Sequence, residues 1–170
     1  MAKKNLRPIS VNGKLAYVPL TRGLTAIIDA DDIDRVSGDN WQASLHGANC
    51  YAGRSQWTGA GYIKIKMHRV ILGAPDGLFV DHIDGNGLNN SRGNLRLATN
   101  AQNCWNQRLA SNNKTGKRGV FFNARRNCWQ ASIRHNGKLH WLGRHSSLEK
   151  ASEAYDEAAV ALFGPFARLV

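Results

Sequence analysis

The sequence predicts an α+β chain in two parts: a strand–loop–strand–helix unit, then a three-stranded antiparallel sheet packed on one helix. Three observations predict it. Residues 78–106 pass from an apolar run through a turn-rich stretch to an alternating segment and a helix start. Residues 118–163 hold three short strand-like segments and then apolar and small residues at helical spacing. Between them, 109–117 reads Leu-Ala-Ser-Asn-Asn-Lys-Thr-Gly-Lys, a polar, basic stretch without period that suits a linker lying along a polyanion. The expected division is 1–108, 109–117 and 118–170, and 170 residues suit one large or two small domains.

Residues 10–67 read as strands around a short acidic helix. Leu15 to Leu20 and Thr25 to Asp29 are strand-like. Asp29, Asp31, Asp32 and Asp34 are expected to start a helix that Gly38 ends, as a solvated helix start rather than paired catalytic carboxylates. Trp41 to Leu45 and Cys50 to Arg54 form a hairpin pattern, and Tyr62 to Met67 alternates with its lysines on one face.

The central stretch carries the chemistry. Leu78-Phe79-Val80 delivers Asp81 and His82 at a strand end, and Gly85, Asn86, Gly87, Asn89 and Asn90 favour a loop. Asn94 to Leu97 alternates as a second strand, and Thr99 with Gln102 forms a capping box before a helix bearing Asn103. Asp81 and the amide oxygen of Asn103 can give a hard cation two oxygen ligands and leave its other positions to water and phosphate. A neutral His82 can take the proton from an attacking water, with Asn94 accepting from Nδ1 so that Nε2 acts as the base. Singly, these residues read as a surface acid, a structural imidazole, a turn residue and a helix-start residue. Together they point to metal-assisted phosphodiester hydrolysis.

Val-Asp-His-Ile-Asp-Gly-Asn from Val80, then Asn-Asn, Gly-Asn-Leu-Arg and Ala-Thr-x-x-x-Asn, resembles the HNH nucleases of ββα-metal fold, in the form found in phage and intron homing endonucleases. The resemblance implies a nuclease core at about 78–108, with Asp81 and Asn103 as metal ligands, His82 as general base and Asn94 orienting it. Mg²⁺ is the expected ion and Mn²⁺ the alternative. The closing residue is His in many relatives, so Asn103 makes this the H-N-N subtype. Relatives also carry a pair like His68-Arg69 on a short helix before the catalytic strand. His68 either touches the scissile phosphate region or fixes that helix, with the structural role preferred, and Arg69 is a phosphate-clamp candidate by its charge.

In the last part, Gly119 to Phe122, Trp129 to Arg134 and Lys138 to Gly143 read as strands, with a turn at His135-Asn136-Gly137. Ser146 and Glu149 form a capping box for a helix bearing Ala151, Ala154, Tyr155, Ala158, Ala159 and Leu162. Arg-Gly-Val at 118, Ala-x-Ile-Arg ending at Arg134, Trp-Leu-Gly at 141 and Ala-Tyr-Asp-x-Ala-Ala from Ala154 resemble the DNA-binding domain of the plant Apetala and ethylene-response-factor transcription factors. That resemblance places Arg118, Arg134 and Trp141 against double-stranded DNA. Phe121, Asn123, Arg126 and Leu139 depart from the plant pattern, so no sequence preference carries over.

Composition agrees with a polyanionic partner. The formal charge is +11, and no carboxylate falls between Asp84 and Glu149. Cys50, Cys104 and Cys128 are widely spaced, which argues against a structural zinc or a disulfide framework. The N-terminus lacks an apolar signal core and no apolar run is long enough to span a membrane, so the expected setting is the cytoplasm of a bacterial or phage-infected cell. The expected reading is a homing endonuclease on duplex DNA, as monomer or homodimer. A DNA-binding regulator that no longer cuts and a nonspecific or RNA-directed nuclease stay open.

Overall fold

The computed structural model describes residues 5–47 and 49–169, and its contacts divide the chain into two compact units, residues 1–99 and 100–170. In the first unit, β1 (Ser10–Asn12), β2 (Leu15–Pro19) and β3 (Thr25–Asp29) form an antiparallel meander. The register sets Ala16 opposite Ile28 and Val18 opposite Ala26, so one pleat face is wholly apolar and buried. A single turn, α1 (Ile33–Val36), leads to a second meander of β4 (Gln42–His46), β5 (Asn49–Trp57) and β6 (Tyr62–Lys66). Next comes α2 (Met67–Leu72), which buries Met67 and Ile71, one turn apart, and ends at Gly73 in the left-handed conformation. Then β7 (Phe79–His82) pairs antiparallel with β8 (Leu95–Ala98). Both meanders, α1, α2, Val80 and Leu95 share one core around Trp41 and Ile28. Each large side chain there contributes roughly 1.5–3 kcal/mol of burial.

The acidic stretch departs from expectation. Instead of a solvated helix start, a 3-10 turn over Ala30–Asp32 places Asp32 in the core, only 1% exposed. Its carboxylate accepts from Arg92 Nε at 2.8 Å and Nη2 at 2.6 Å, and pairs with Arg35 at 3.1 Å. A buried charge requires such partners, and Arg92 lies too far along the chain for local pattern to show the pairing.

The second unit contains α3 (Asn100–Trp105), β9 (Val120–Asn123), β10 (Cys128–His135), β11 (Lys138–His145) and α4 (Leu148–Phe163). Its sheet runs β11-β10-β9, and α4 buries Ala151, Tyr155 and Ala159 against Val120, Ala131 and Ile133. Asn136 and Gly137 both have positive φ, the two-residue hairpin turn expected there. The cap of α4 is Ser147, whose hydroxyl accepts from Lys150 N, one residue beyond the expected Ser146.

The unit boundary also differs from the expected linker. Trp105 stacks on Phe163 with centroids 4.5 Å apart, Arg118 donates to the carbonyls of Trp105 and Gln107, and Arg168 donates to Asn106 O, so α3 folds with the C-terminal sheet. Within 109–117, Asn113 Oδ1 accepts from Thr115 N and Gly116 N, and its Nδ2 donates to Lys117 O, which folds that stretch into a turn. No helix among the described residues is long and apolar enough to cross a membrane.

Candidate active site

The loop between β7 and β8 hangs on Asp84. Its carboxylate accepts from Asn86 N at 2.7 Å, Asn94 Nδ2 at 2.9 Å and Asn89 Nδ2 at 2.9 Å, while its own N–H donates to Asn94 Oδ1 at 3.0 Å. Burial raises the Asp84 pKa, but these hydrogen bonds outweigh it and hold the carboxyl below its usual range. Arg92, locked on Asp32, donates its N–H to Asp29 Oδ2 at 2.7 Å. The loop's middle joins the edge of β3: Ile27 N donates to Leu88 O at 2.8 Å and Asn90 N to Ile27 O at 2.7 Å. Gly87 lies so close to Cys50 O and the Tyr51 ring that a Cβ would collide with both. The first meander and the acidic turn therefore shape this loop.

His82 is buried, and Asn90 Oδ1 lies 3.2 Å from its Nε2. Asn90 Nδ2 donates to Leu88 O at 3.1 Å, so the amide turns its oxygen to the ring. An amide oxygen only accepts, which puts the His82 proton on Nε2 and the lone pair on Nδ1. Burial pushes the His82 pKa down against the Asn90 bond and the Asp84 and Asp81 charges, which favours the neutral base. His68 sits beside it with ring centroids 5.0 Å apart, and burial, then the His82 and Lys66 charges, lower its pKa to about 3. Its Nδ1 is buried without a hydrogen-bond partner.

Asp81 points to the opposite pleat face from His82. It is buried, and its cross-strand neighbour Arg96 engages Oδ2 through Nε at 2.8 Å and Nη2 at 2.6 Å. Asn94 does not orient His82 as expected. Its side chain is held by Asp84 and by Asn89 O at 2.8 Å, and it is Asn90 that lies against the His82 ring, at Nε2. Asn103 lies half-buried on α3. Arg69 is no phosphate clamp here: its guanidinium donates to Leu78 O at 2.7 Å, Pro75 O at 2.9 Å and Ala74 O at 3.1 Å, closing the turn into β7.

In the second unit, Arg118 is likewise held by backbone carbonyls. Arg134 and Trp141 are exposed, and cross-strand pairing of Ser132 with Trp141, Arg134 with Leu139 and Gln130 with Arg144 puts them on the face turned away from α4. Sequence reasoning passed over Asn90, Asp84, Arg96 and Tyr51. The run of asparagines was visible, but which one faces the imidazole depends on the bridge to β3.

An adjacent Asp-His pair on β7, a hydrogen-bonded loop and the return strand β8 form the strand–loop–strand part of the expected nuclease motif. Residues 66–104 match the HNH endonuclease family model. An uncharacterized HNH endonuclease, L560, of Acanthamoeba polyphaga mimivirus is 39% identical over 110 residues, 61% of this chain and 56% of that protein. Protein 3.8 of Escherichia phage T7 is 36% identical over 94 residues, 55% of this chain and 77% of that protein. Dehydration-responsive element-binding protein 2A of Arabidopsis thaliana is 49% identical over 43 residues, 24% of this chain and 13% of the plant protein. No solved structure matches. The chain belongs to the HNH endonuclease family. The match thus spans about half of the mimivirus relative's length.

Proposed function

We propose that the chain hydrolyses phosphodiester bonds in double-stranded DNA, as a homing-type endonuclease acting in a bacterial or phage-infected cell. The observation that carries this is the buried His82–Asn90 pair, in which burial favours a neutral imidazole held in place by the Asn90 amide. The His82 ring takes the proton from the attacking water, and its bond to Asn90 holds the ring still and strengthens as the ring becomes cationic.

The donor set fits a hard divalent cation. Asp81 supplies a single buried carboxylate, a ligand type that leaves such an ion most of its water. Asp81 would hold it, with Asn103 as second ligand by the family motif, and Mg²⁺ is the expected ion. Bound there, the ion supplies positive charge that stabilises the transferring phosphate and the leaving oxygen. Arg96 fixes the Asp81 carboxylate through Oδ2. The outward face of the C-terminal sheet, an ethylene-response-factor-like module in this reading, contacts the duplex through Arg134 and Trp141, and the partial match to a plant element-binding protein supports it. One site cuts one strand per encounter, so a monomer nicks and a homodimer is needed for a double-strand break.

Incubating supercoiled plasmid with wild-type or His82→Ala protein, with Mg²⁺ or EDTA, tests the proposal. Metal-dependent nicking by wild type, reduced on the order of 100-fold or more in His82→Ala with duplex binding kept, is expected. Salt-sensitive duplex binding without cleavage by wild type would make the chain a non-cleaving DNA-binding regulator.

A further inference from the structure

We propose that the outward face of the β4–β5–β6 meander is a second nucleic-acid groove, which seats the phosphodiester backbone beside the cleaved bond. Pairing of Ser44 with Tyr51, Gly53 with Lys66, Ser55 with Lys64 and Trp57 with Tyr62 aligns these residues on one pleat face. The opposite face sends Ala43, Ala52 and Ile65 to the core. With Gly53 at its centre, the outward face has a groove of about 210 Å³ lined by Ser44, His46, Tyr51, Lys64 and Lys66.

The occupant follows from charge and continuity. From Asn40 to Pro75 the chain has no carboxylate, and the flanking Asp39 pairs at 3.0 Å with Arg54, which lies on the core-side pleat face. Lys64 Nζ sits 3.0 Å from Ser55 Oγ and Lys66 Nζ lies 5.3 Å over the Tyr51 ring, two cations along a groove with no acid of its own. At one end, the Tyr51 ring centroid is 5.8 Å from that of His82, so the groove runs into the catalytic histidine. Further along the same face, Trp57 and Tyr62 are 58% and 75% exposed and pack on each other at 5.1 Å, offering aromatic faces to sugars or bases. A lysine-lined groove with aromatic surface, opening on a hydrolytic base, fits a DNA strand. Its link to the cleaved bond rests on the proposed role of His82.

The test is the full-length Lys64→Ala/Lys66→Ala variant, with Lys64→Gln/Lys66→Gln as a second pair retaining length. Both lysines are exposed, and circular dichroism melting verifies folding. Binding of a fluorescein-labelled duplex is titrated in EDTA across a salt series. Loss of two phosphate contacts makes the slope of log K against log salt shallower by about 2. Plasmid nicking should show KM rising several-fold with kcat little changed. Nicking by wild type with slope and KM unchanged in both variants would overturn the groove and leave the nuclease reading standing. Failure of wild type to nick would remove the catalytic reading, and the slope alone would then decide the groove. Displacement of duplex from wild type, but not from the variants, by poly-glutamate at equal charge concentration would assign the groove to an acidic protein and overturn the proposal.

Discussion

The β7–β8 loop and the outward face of the C-terminal sheet use the same residue types in opposite ways. In and beside the loop, charged and amide side chains are spent on one another: Arg92 on Asp32, Arg96 on Asp81, Asn94 on Asp84, Asn90 on His82. On the sheet, Arg134 and Arg144 lie exposed beside Trp141, and Arg134 makes one bond, to Gly137 O at 3.0 Å. Net charge therefore overstates what a partner can reach. Arg69, Arg92, Arg96 and Arg118 hold backbone or carboxylates in place, and only part of the +11 is available to a phosphate.

The strongest way to break this contrast is Asp32→Ala. It leaves the Arg92 guanidinium without its carboxylate and releases the end of the loop from the acidic turn. Because Arg92 is half-exposed and can reach water, the loss is below that of a fully buried pair, about 2–3 kcal/mol. A thermal melt should fall by roughly 10 °C. An unchanged melt would show that the loop is held without this pair.

Asn90→Leu comes next. It removes the acceptor at His82 Nε2 while keeping the volume, so kcat should fall by about 10–100-fold with duplex affinity unchanged. Asn90→Asp sharpens the point through pH. A carboxylate at that atom favours the charged imidazolium and raises the His82 pKa, and the base works only when neutral. The acidic limb of the pH–rate profile should then move to higher pH. A limb that stays in place would separate Asn90 from the base.

Much of the fold was legible because its period is local. β2 and β3 alternate cleanly, Thr25–Asp29 is bounded as expected, and the Asn-Gly turn and the alanine face of α4 follow from short-range rules. Asp81 and His82 were legible as a pair at a strand end. Their partners were not. Arg92 meets Asp32, and Asn90 meets His82, only because β3 is laid along the loop, a long-range pairing with no periodic signature. The place of α3 was hidden for the same reason, since Trp105 finds Phe163 across most of the second unit's length.

The smallest effects distinguish two arginines that the sequence presented as equals. Arg118→Ala removes bonds to the Trp105 and Gln107 carbonyls and should cost about 1–2 kcal/mol of stability. Arg134→Ala touches only a turn carbonyl, so stability should stay within roughly 0.5 kcal/mol. Duplex affinity responds in the opposite sense if the outward face binds DNA: about fivefold weaker for Arg134→Ala, near 1 kcal/mol, and little changed for a folded Arg118→Ala. Melting curves and anisotropy titrations on the two variants read both axes. Equal affinity losses from the two would mean that exposure on the sheet does not decide which arginine meets the duplex.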